Sequence, residues 1–349
     1  VYGFILKERI NIRITHGQNA IVHDGGVQIE MAAQSLLEGK NPYAITFDKV
    51  LKGERFYHNG QLDPVLTHYV YSPLTFLMNI PVFLLSKSLF NIVDIRIALI
   101  VFFLASVFIG SYIVKEKILF LIVSLLNPLI INSIFLGAND VLVLFFLIFC
   151  LVFLRFRKLT FATIALGMAF GTKLTAIPFV PLYFLYLSNQ FKKQDKTRHL
   201  IKEVFIFLIT TLIIYLPFVF WNAKAIFEDL ILYVFQGGNQ TYPITGYLGI
   251  PHLLANFKLV SAWTNFPFYY IQSVIAILVL ILFHRILIKS PSLKTLCILY
   301  VLLFIISFGF GRTFQPNYLD FLSQILIFGS FVQDKLLAKP GTRRYLAKQ

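Results

Sequence analysis

The residues best suited to chemistry begin with His23-Asp24-Gly25-Gly26-Val27-Gln28-Ile29-Glu30, a polar cluster just ahead of a long series of apolar runs. A carboxylate beside a membrane can deprotonate an acceptor hydroxyl or hold a metal. Gly25 and Gly26 would let the backbone of Asp24 approach a substrate closely, although the same spacing lets Asp24 N-cap the helix that follows. Glu30 reads as a helix-end or solvated residue and only secondarily as a supporting acid. Asn139-Asp140 ends an apolar run, where an acid is costly unless it has a partner, a wet cavity or a capping role. Lys173, in Gly171-Thr172-Lys173-Leu174-Thr175, and Arg312 beside Gly311 could each bind a lipid phosphate or snorkel to the interface. The stretch from Gln236 to His252, rich in glycine, amides and tyrosine, suits sugar recognition and equally an ordinary turn-rich connector. No zinc spacing, P-loop, serine-nucleophile motif or dinucleotide fingerprint is present.

The elements that must position these groups are membrane helices. Mean hydropathy is +0.76, and only 13% of the residues are charged, about half the share of a soluble domain. That composition defines an all-α, polytopic membrane protein. The net charge of +15 does not indicate nucleic acid, because the basic residues fall mostly in short loops between apolar runs. Cys150 and Cys297 lie inside such runs and read as packing residues. Nine spans are expected, at roughly 96–114, 118–136, 141–154, 159–176, 178–190, 204–221, 269–288, 294–311 and 317–333.

Charge sets the expected topology. Placing the loops at 115–117, 155–158, 192–202 and 285–294, with the tail 335–348, on the cytoplasmic side gathers 18 basic residues there. After residue 100 only Lys173, Lys224, Lys258 and Arg312 remain opposite. This parity requires 159–190 to be a hairpin broken near Pro178 and Pro181 rather than one tilted helix. A single domain over 1–349 results: an outer loop to residue 95, a bundle over 96–333 and a basic cytoplasmic tail over 334–349. Asp24, Asp140, Lys173 and Arg312 then emerge on one outer face. Within the first loop, Gln28–Leu37 reads as a short juxtamembrane helix ended by Gly39. Pro73–Phe90 reads as an interfacial helix, with a full span as the alternative. A further helix ahead of Val1 is expected from the same parity.

The pattern resembles the GT-C superfamily of polytopic glycosyltransferases, and within it glycosyltransferase family 87. The resemblance rests on His23-Asp24-Gly25-Gly26 with Glu30, Leu36-Leu37-Glu38-Gly39-Lys40-Asn41-Pro42-Tyr43, Tyr69-Val70-Tyr71-Ser72-Pro73-Leu74, Gly137-Ala138-Asn139-Asp140, and Gly167 followed by Lys173. It covers about residues 20–190. Ser72 stands where relatives usually show proline, and Ala138 where glutamine is common.

The resemblance implies inverting transfer of a hexose, mannose above all, from a polyprenyl-phosphate donor to a hydroxyl on a lipid or glycan acceptor. Asp24 is the implied general base, with Asp140 and Glu30 as supporting acids. Lys173 and Arg312 would bind the donor phosphate, and His23, Tyr71, Asn139, His252, Gln315 and Asn317 would contact substrate. A divalent metal is compatible with the superfamily but not specified. The expected location is a prokaryotic plasma membrane with the site on its outer face. A related transferase of another sugar is the nearest alternative. A transporter or flippase is the competing class, but it would place its ionisable groups near mid-membrane.

Overall fold

The computed structural model describes residues 2–333 apart from 19, 54–55, 59–60, 192–195, 236–242 and 245–247. Helix dominates, as the apolar runs require: a chain in lipid must satisfy its backbone polar groups within each segment. In order the helices are α1 (Tyr2–His16), α2 (Asp24–Leu37), α3 (Pro73–Leu77), α4 (Ile80–Phe90), α5 (Ile95–Gly110), α6 (Lys117–Leu125), α7 (Pro128–Leu136) and α8 (Asp140–Arg155). They continue with α9 (Leu159–Thr172), α10 (Phe179–Ser188), α11 (Lys196–Phe227), α12 (Tyr233–Phe235), α13 (Ile250–Asn256), α14 (Phe268–Lys289), α15 (Leu293–Gly309) and α16 (Pro316–Phe331). Among the described residues the strand structure is one antiparallel pair, Tyr57–His58 with Gln61–Leu62.

Helices occupy all nine expected segments, but among the described residues only three of those segments are single helices of spanning length, and Pro73–Phe90, expected as an interfacial helix, is long and apolar enough for its full-span alternative. Among the described residues four helical stretches have the length and composition to cross a membrane: Pro73–Phe90, Ile95–Ile113, Lys196–Leu232 and Phe268–Lys289. The span expected at 118–136 is two helices, α6 and α7, bent by 47°. The break falls at Asn127-Pro128, since proline removes a donor and biases the preceding residue away from helix. Asn127 caps α7 by accepting from the Leu129 amide at 3.2 Å, and its Nδ2 donates to Ser323 Oγ at 2.9 Å on α16. The Leu125 carbonyl at this break accepts from Tyr2 Oη at 2.9 Å. Several polar groups at the bend thus find partners in other segments.

The centre of the bundle is α8. Twelve of its residues are buried, with α5, α9 and α16 packed around it. A helix enclosed by protein need not match the bilayer thickness, so its 16 residues suffice. By contrast α14, 22 residues long, leaves much of its surface outside the bundle, including Val274, Ile277, Leu278 and Ile281. The segment 159–188 turns back on itself: Tyr183 Oη on α10 lies 2.6 Å from Thr163 Oγ1 in the first turns of α9. The helix expected at 204–221 extends to Lys196 and Phe227, with Asn222 in an extended conformation (φ −159°) marking a kink.

The first 95 residues hold more helix than expected. No helix is anticipated over Tyr2–His16, where apolar and charged residues alternate without a clear face. Tertiary partners stabilise it, with Tyr2 against Phe103 and Phe135 and Arg13 buried. The α2 helix starts at Asp24 rather than Gln28, with His23 in the N-cap position (φ −60°, ψ 137°). Asp24 is therefore in the first turn and is not the cap. Together α3 and α4 make an 18-residue apolar stretch. At its start Thr75 Oγ1 donates to the Thr172 carbonyl and Tyr215 Oη donates to Ser72 Oγ at 2.7 Å. Just past its end the Ile95 amide donates to Glu30 of α2 at 2.7 Å, while α2 itself docks beside Gly137. Both ends are held at the end of the bundle where α9 finishes and α8 begins.

Candidate active site

The α7–α8 turn brings the first groups into place. Gly137 adopts φ +80°, the left-handed conformation that ends helices, and the Ala138 amide returns to the Ser133 carbonyl at 2.9 Å. Asn139-Asp140 is thereby placed at the start of α8, where the helix dipole favours a carboxylate. α2 docks on this turn through the His23 amide, 2.6 Å from the Leu136 carbonyl. A Cβ on Gly26 would lie 2.8 Å from the Gly137 carbonyl oxygen, and one on Gly25 only 2.0 Å from Tyr71 Oη. The glycines thus serve packing within the protein, not the approach to substrate expected from their spacing.

Lys173 follows the last turn of α9 and crosses to α8. Its Nζ donates to Asn139 Oδ1 at 2.8 Å and Asp140 Oδ1 at 2.9 Å, and it lies over the Tyr71 and Tyr318 rings at 5.6 and 5.1 Å. The second Asp140 oxygen accepts from Asn317 Nδ2. Asp140 is completely buried, and this pairing compensates the cost of its charge. Lys173, its side chain 12% exposed, is turned onto Asp140 rather than out to the interface, which argues against the snorkelling alternative; capping does not describe Asp140 either, since Asn139 occupies the cap position.

A chamber of about 440 Å³ opens beside these groups. His23, Tyr71, Lys173, Arg312, Gln315 and Asn317 form its polar side. Ile177, Pro178 and Pro181 of the α9–α10 region, with Ala276 and Leu280 of α14 and Leu303 of α15, form its apolar side. Arg312 is mostly buried and its Nη1 donates to the Thr264 carbonyl at 2.8 Å. Asp24 is adjacent: its Oδ1 is 2.8 Å from His23 Nδ1. Burial disfavours the charged His23 ring, but Asp24, with a smaller contribution from Asp140, outweighs burial and Lys173 and raises it above its ordinary value.

Two expected site residues lie elsewhere. His252 is on the short helix α13, bonded to Asn256 Nδ2 at 2.9 Å, and does not border the chamber. Glu30 is neither solvated nor at the chamber. Arg13 forks onto it at 2.8 and 2.5 Å, and the same guanidinium reaches Asp94 at 3.0 Å, which in turn holds Arg96 at 2.6 Å. This buried network ties α1, α2 and α5 together, so the role of Glu30 is structural. Most of the Gln236–Tyr247 stretch lies outside the described residues.

Other contributors went unforeseen. Tyr269, Gln272 and Ser273 of α14 border the chamber; a glutamine in the apolar first half of a span is a signal that could have flagged this face. Asp229 receives the Tyr69 amide at 3.1 Å and lies 2.7 Å from His68 Nδ1, while His68 stacks on Tyr233 at 4.5 Å. This clamp fixes the segment that carries Tyr71. Among the described residues no group of three His, Cys, Asp or Glu side chains converges where it could hold a metal ion.

The structure of ArnT from Cupriavidus metallidurans bound to undecaprenyl phosphate superposes with a TM-score of 0.53 at 13% identity, over 94% of this chain and 58% of that one. At such identity the likeness concerns the fold, and the chain spans 58% of the length of that protein. The sequence itself matches glycosyltransferase family 87 over residues 69–308, and the chain belongs to that family. The match reaches further toward the C-terminus than the resemblance read from short motifs, and leaves out the segment with Asp24. No curated protein matches the chain.

Proposed function

We propose that the protein transfers a hexose, mannose above all, from a polyprenyl-phosphate donor to a hydroxyl of a lipid or glycan acceptor, at a site on the outer face of a prokaryotic plasma membrane. The observation that carries this reading is the chamber itself. An acid–base group (His23, with Asp24 beside it), cations (Lys173, Arg312) and an apolar wall from α10, α14 and α15 border one space. A lipid phosphate sugar has the complementary parts: an apolar chain, an anionic link and a polar ring. Undecaprenyl phosphate bound to ArnT, of like fold, supports a donor of this class.

In this reading the acceptor loses its proton to the base at the start of α2, where Asp24 supplies the carboxylate. The acceptor oxygen attacks the anomeric carbon, and the lipid phosphate leaves opposite with one more negative charge. Arg312 and Lys173 stabilise that charge in a poorly hydrated space where fixed cations are most effective. Asp140 keeps Lys173 in place while sharing its charge, which leaves more of the neutralisation to Arg312.

The test is transfer of radiolabelled sugar from synthetic polyprenyl-phosphate-mannose in membranes containing the complete protein or its Asp24→Asn variant. Wild-type transfer with loss of a hundredfold or more in the variant is expected, the scale of general acid–base catalysis being roughly 10²–10⁴. Equal transfer by both removes Asp24 from the reaction. Transfer of another sugar in preference to mannose would reassign the donor and leave the chemistry in place.

A further inference from the structure

We infer that His23, rather than Asp24, takes the proton from the acceptor hydroxyl, and that Asp24 is a positioning residue acting through the histidine. The inference rests on the transfer reaction proposed above. His23 borders the chamber, while Asp24 is not among its lining residues. The carboxylate meets the ring, with Oδ1 2.8 Å from Nδ1.

Hydrogen-bond accounting assigns the tautomer. The Gly25 amide, which can only donate, lies 2.8 Å from Asp24 Oδ1 and 3.1 Å from His23 Nδ1. A contact of 2.8 Å between Oδ1 and Nδ1 requires a proton between them, and an ionised carboxylate has none to give. Nδ1 therefore carries it, and Gly25 donates to the nearer carboxylate oxygen. The neutral ring then has its lone pair on Nε2, the nitrogen left to meet an acceptor. A carboxylate that fixes the tautomer and stabilises the imidazolium is the arrangement that makes histidine an effective base.

The step balances. The acceptor O–H bond breaks and its proton passes to Nε2. A bond forms between the acceptor oxygen and the anomeric carbon, and the carbon–oxygen bond to phosphate breaks with its electron pair on the phosphate. His23 gains one positive charge as the phosphate gains one negative charge. The groups facing His23 are Asp24 of α2, Asp140 of α8 and Lys173 after α9, with Tyr71 across Gly25 and Arg312 on the same chamber. Their balance holds the ring above its ordinary value, the direction that favours the imidazolium formed when the ring takes a proton.

The test is the pH dependence of kcat/KM for sugar transfer from polyprenyl-phosphate-mannose, between pH 5 and 9, by the complete wild-type protein and by His23→Gln and Asp24→Asn. Wild-type activity should rise with pH through one ionisation above about 6.5, the ordinary histidine value. His23→Gln should lose about 10²-fold or more in kcat with donor binding retained, and the rise should vanish. Asp24→Asn should lower kcat and move the rise to lower pH, because the charge that holds the imidazolium is gone. A wild-type profile flat from pH 5 to 8 overturns the inference whatever the variants do, since a carboxylate base would be ionised throughout. His23→Gln working within tenfold of wild type overturns it as well. Failure of the wild type to transfer from any polyprenyl-phosphate sugar is a different result, and removes the reaction on which the inference rests.

Discussion

Gly25 carries the tightest steric demand at the site. A Cβ there would lie 2.0 Å from Tyr71 Oη and 2.8 Å from its Cζ. Gly25→Ala should therefore displace Tyr71 and lower stability by about 1–3 kcal/mol, the cost of overpacking. Tyr71→Leu in the same chain should return the unfolding temperature toward wild type without restoring activity, and unfolding curves with transfer assays on the two variants check this. Lys173→Met is expected to be more severe, since it leaves Asp140 fully buried with Asn317 as its remaining side-chain partner. Loss of about 3–5 kcal/mol follows from stranding a buried charge. Lys173→Met with Asp140→Leu should recover much of that stability, as read from thermal unfolding in detergent. That these residues matter was legible in the sequence, because charge beside apolar runs is costly. That Lys173 and Asp140 pay for each other was not, since 33 residues separate them.

At the scale of elements, the Arg13–Glu30–Asp94–Arg96 network holds α1 and α2 against the start of α5. Burial pushes the Asp94 carboxyl up, but Arg96 and Arg13 outweigh it and hold it below its ordinary value. Its contribution to stability should be fully present above about pH 4, the unfolded value. It should be lost as pH falls through the lowered folded value. Arg13→Ala should reduce stability at neutral pH by about 3–5 kcal/mol and move the onset of acid unfolding to higher pH, measured as unfolding temperature against pH. The network was not legible: Glu30 reads as a helix-end residue because nothing in its neighbours announces Arg13, 17 residues upstream. The break between α6 and α7 was half legible. Asn127-Pro128 marks a turn, but its occurrence inside one bent apolar unit depends on Ser323 and Tyr2 answering the freed polar groups.

For the whole molecule, the parity of charged loops makes the most direct prediction. A cysteine at position 24 should react with an impermeant thiol reagent from outside, and one replacing Arg198, exposed at the start of α11, should not. The native Cys150 and Cys297 are buried and should contribute little background. The reverse labelling would place the chamber on the other face and remove the outer-face reading. A transporter is a poorer description of the molecule, because the sequence matches a glycosyltransferase family over residues 69–308.

By itself the sequence determined the class of molecule and most of the places where its helices run, α1 excepted, because a bilayer makes hydropathy and loop charge nearly sufficient to specify both. It also nominated His23, Asp24, Tyr71, Lys173, Arg312, Gln315 and Asn317, which do gather at one chamber or directly beside it. Tertiary structure alone decided the partners. It turned Glu30 into a structural anchor, set His252 away from the chamber, gave Gly25 to Tyr71, and directed the Asp24 carboxylate to His23. The reason is one of range. Hydropathy acts on each segment separately, whereas an ion pair or a close packing contact exists only once distant segments have met, and no local pattern encodes which charge will face which.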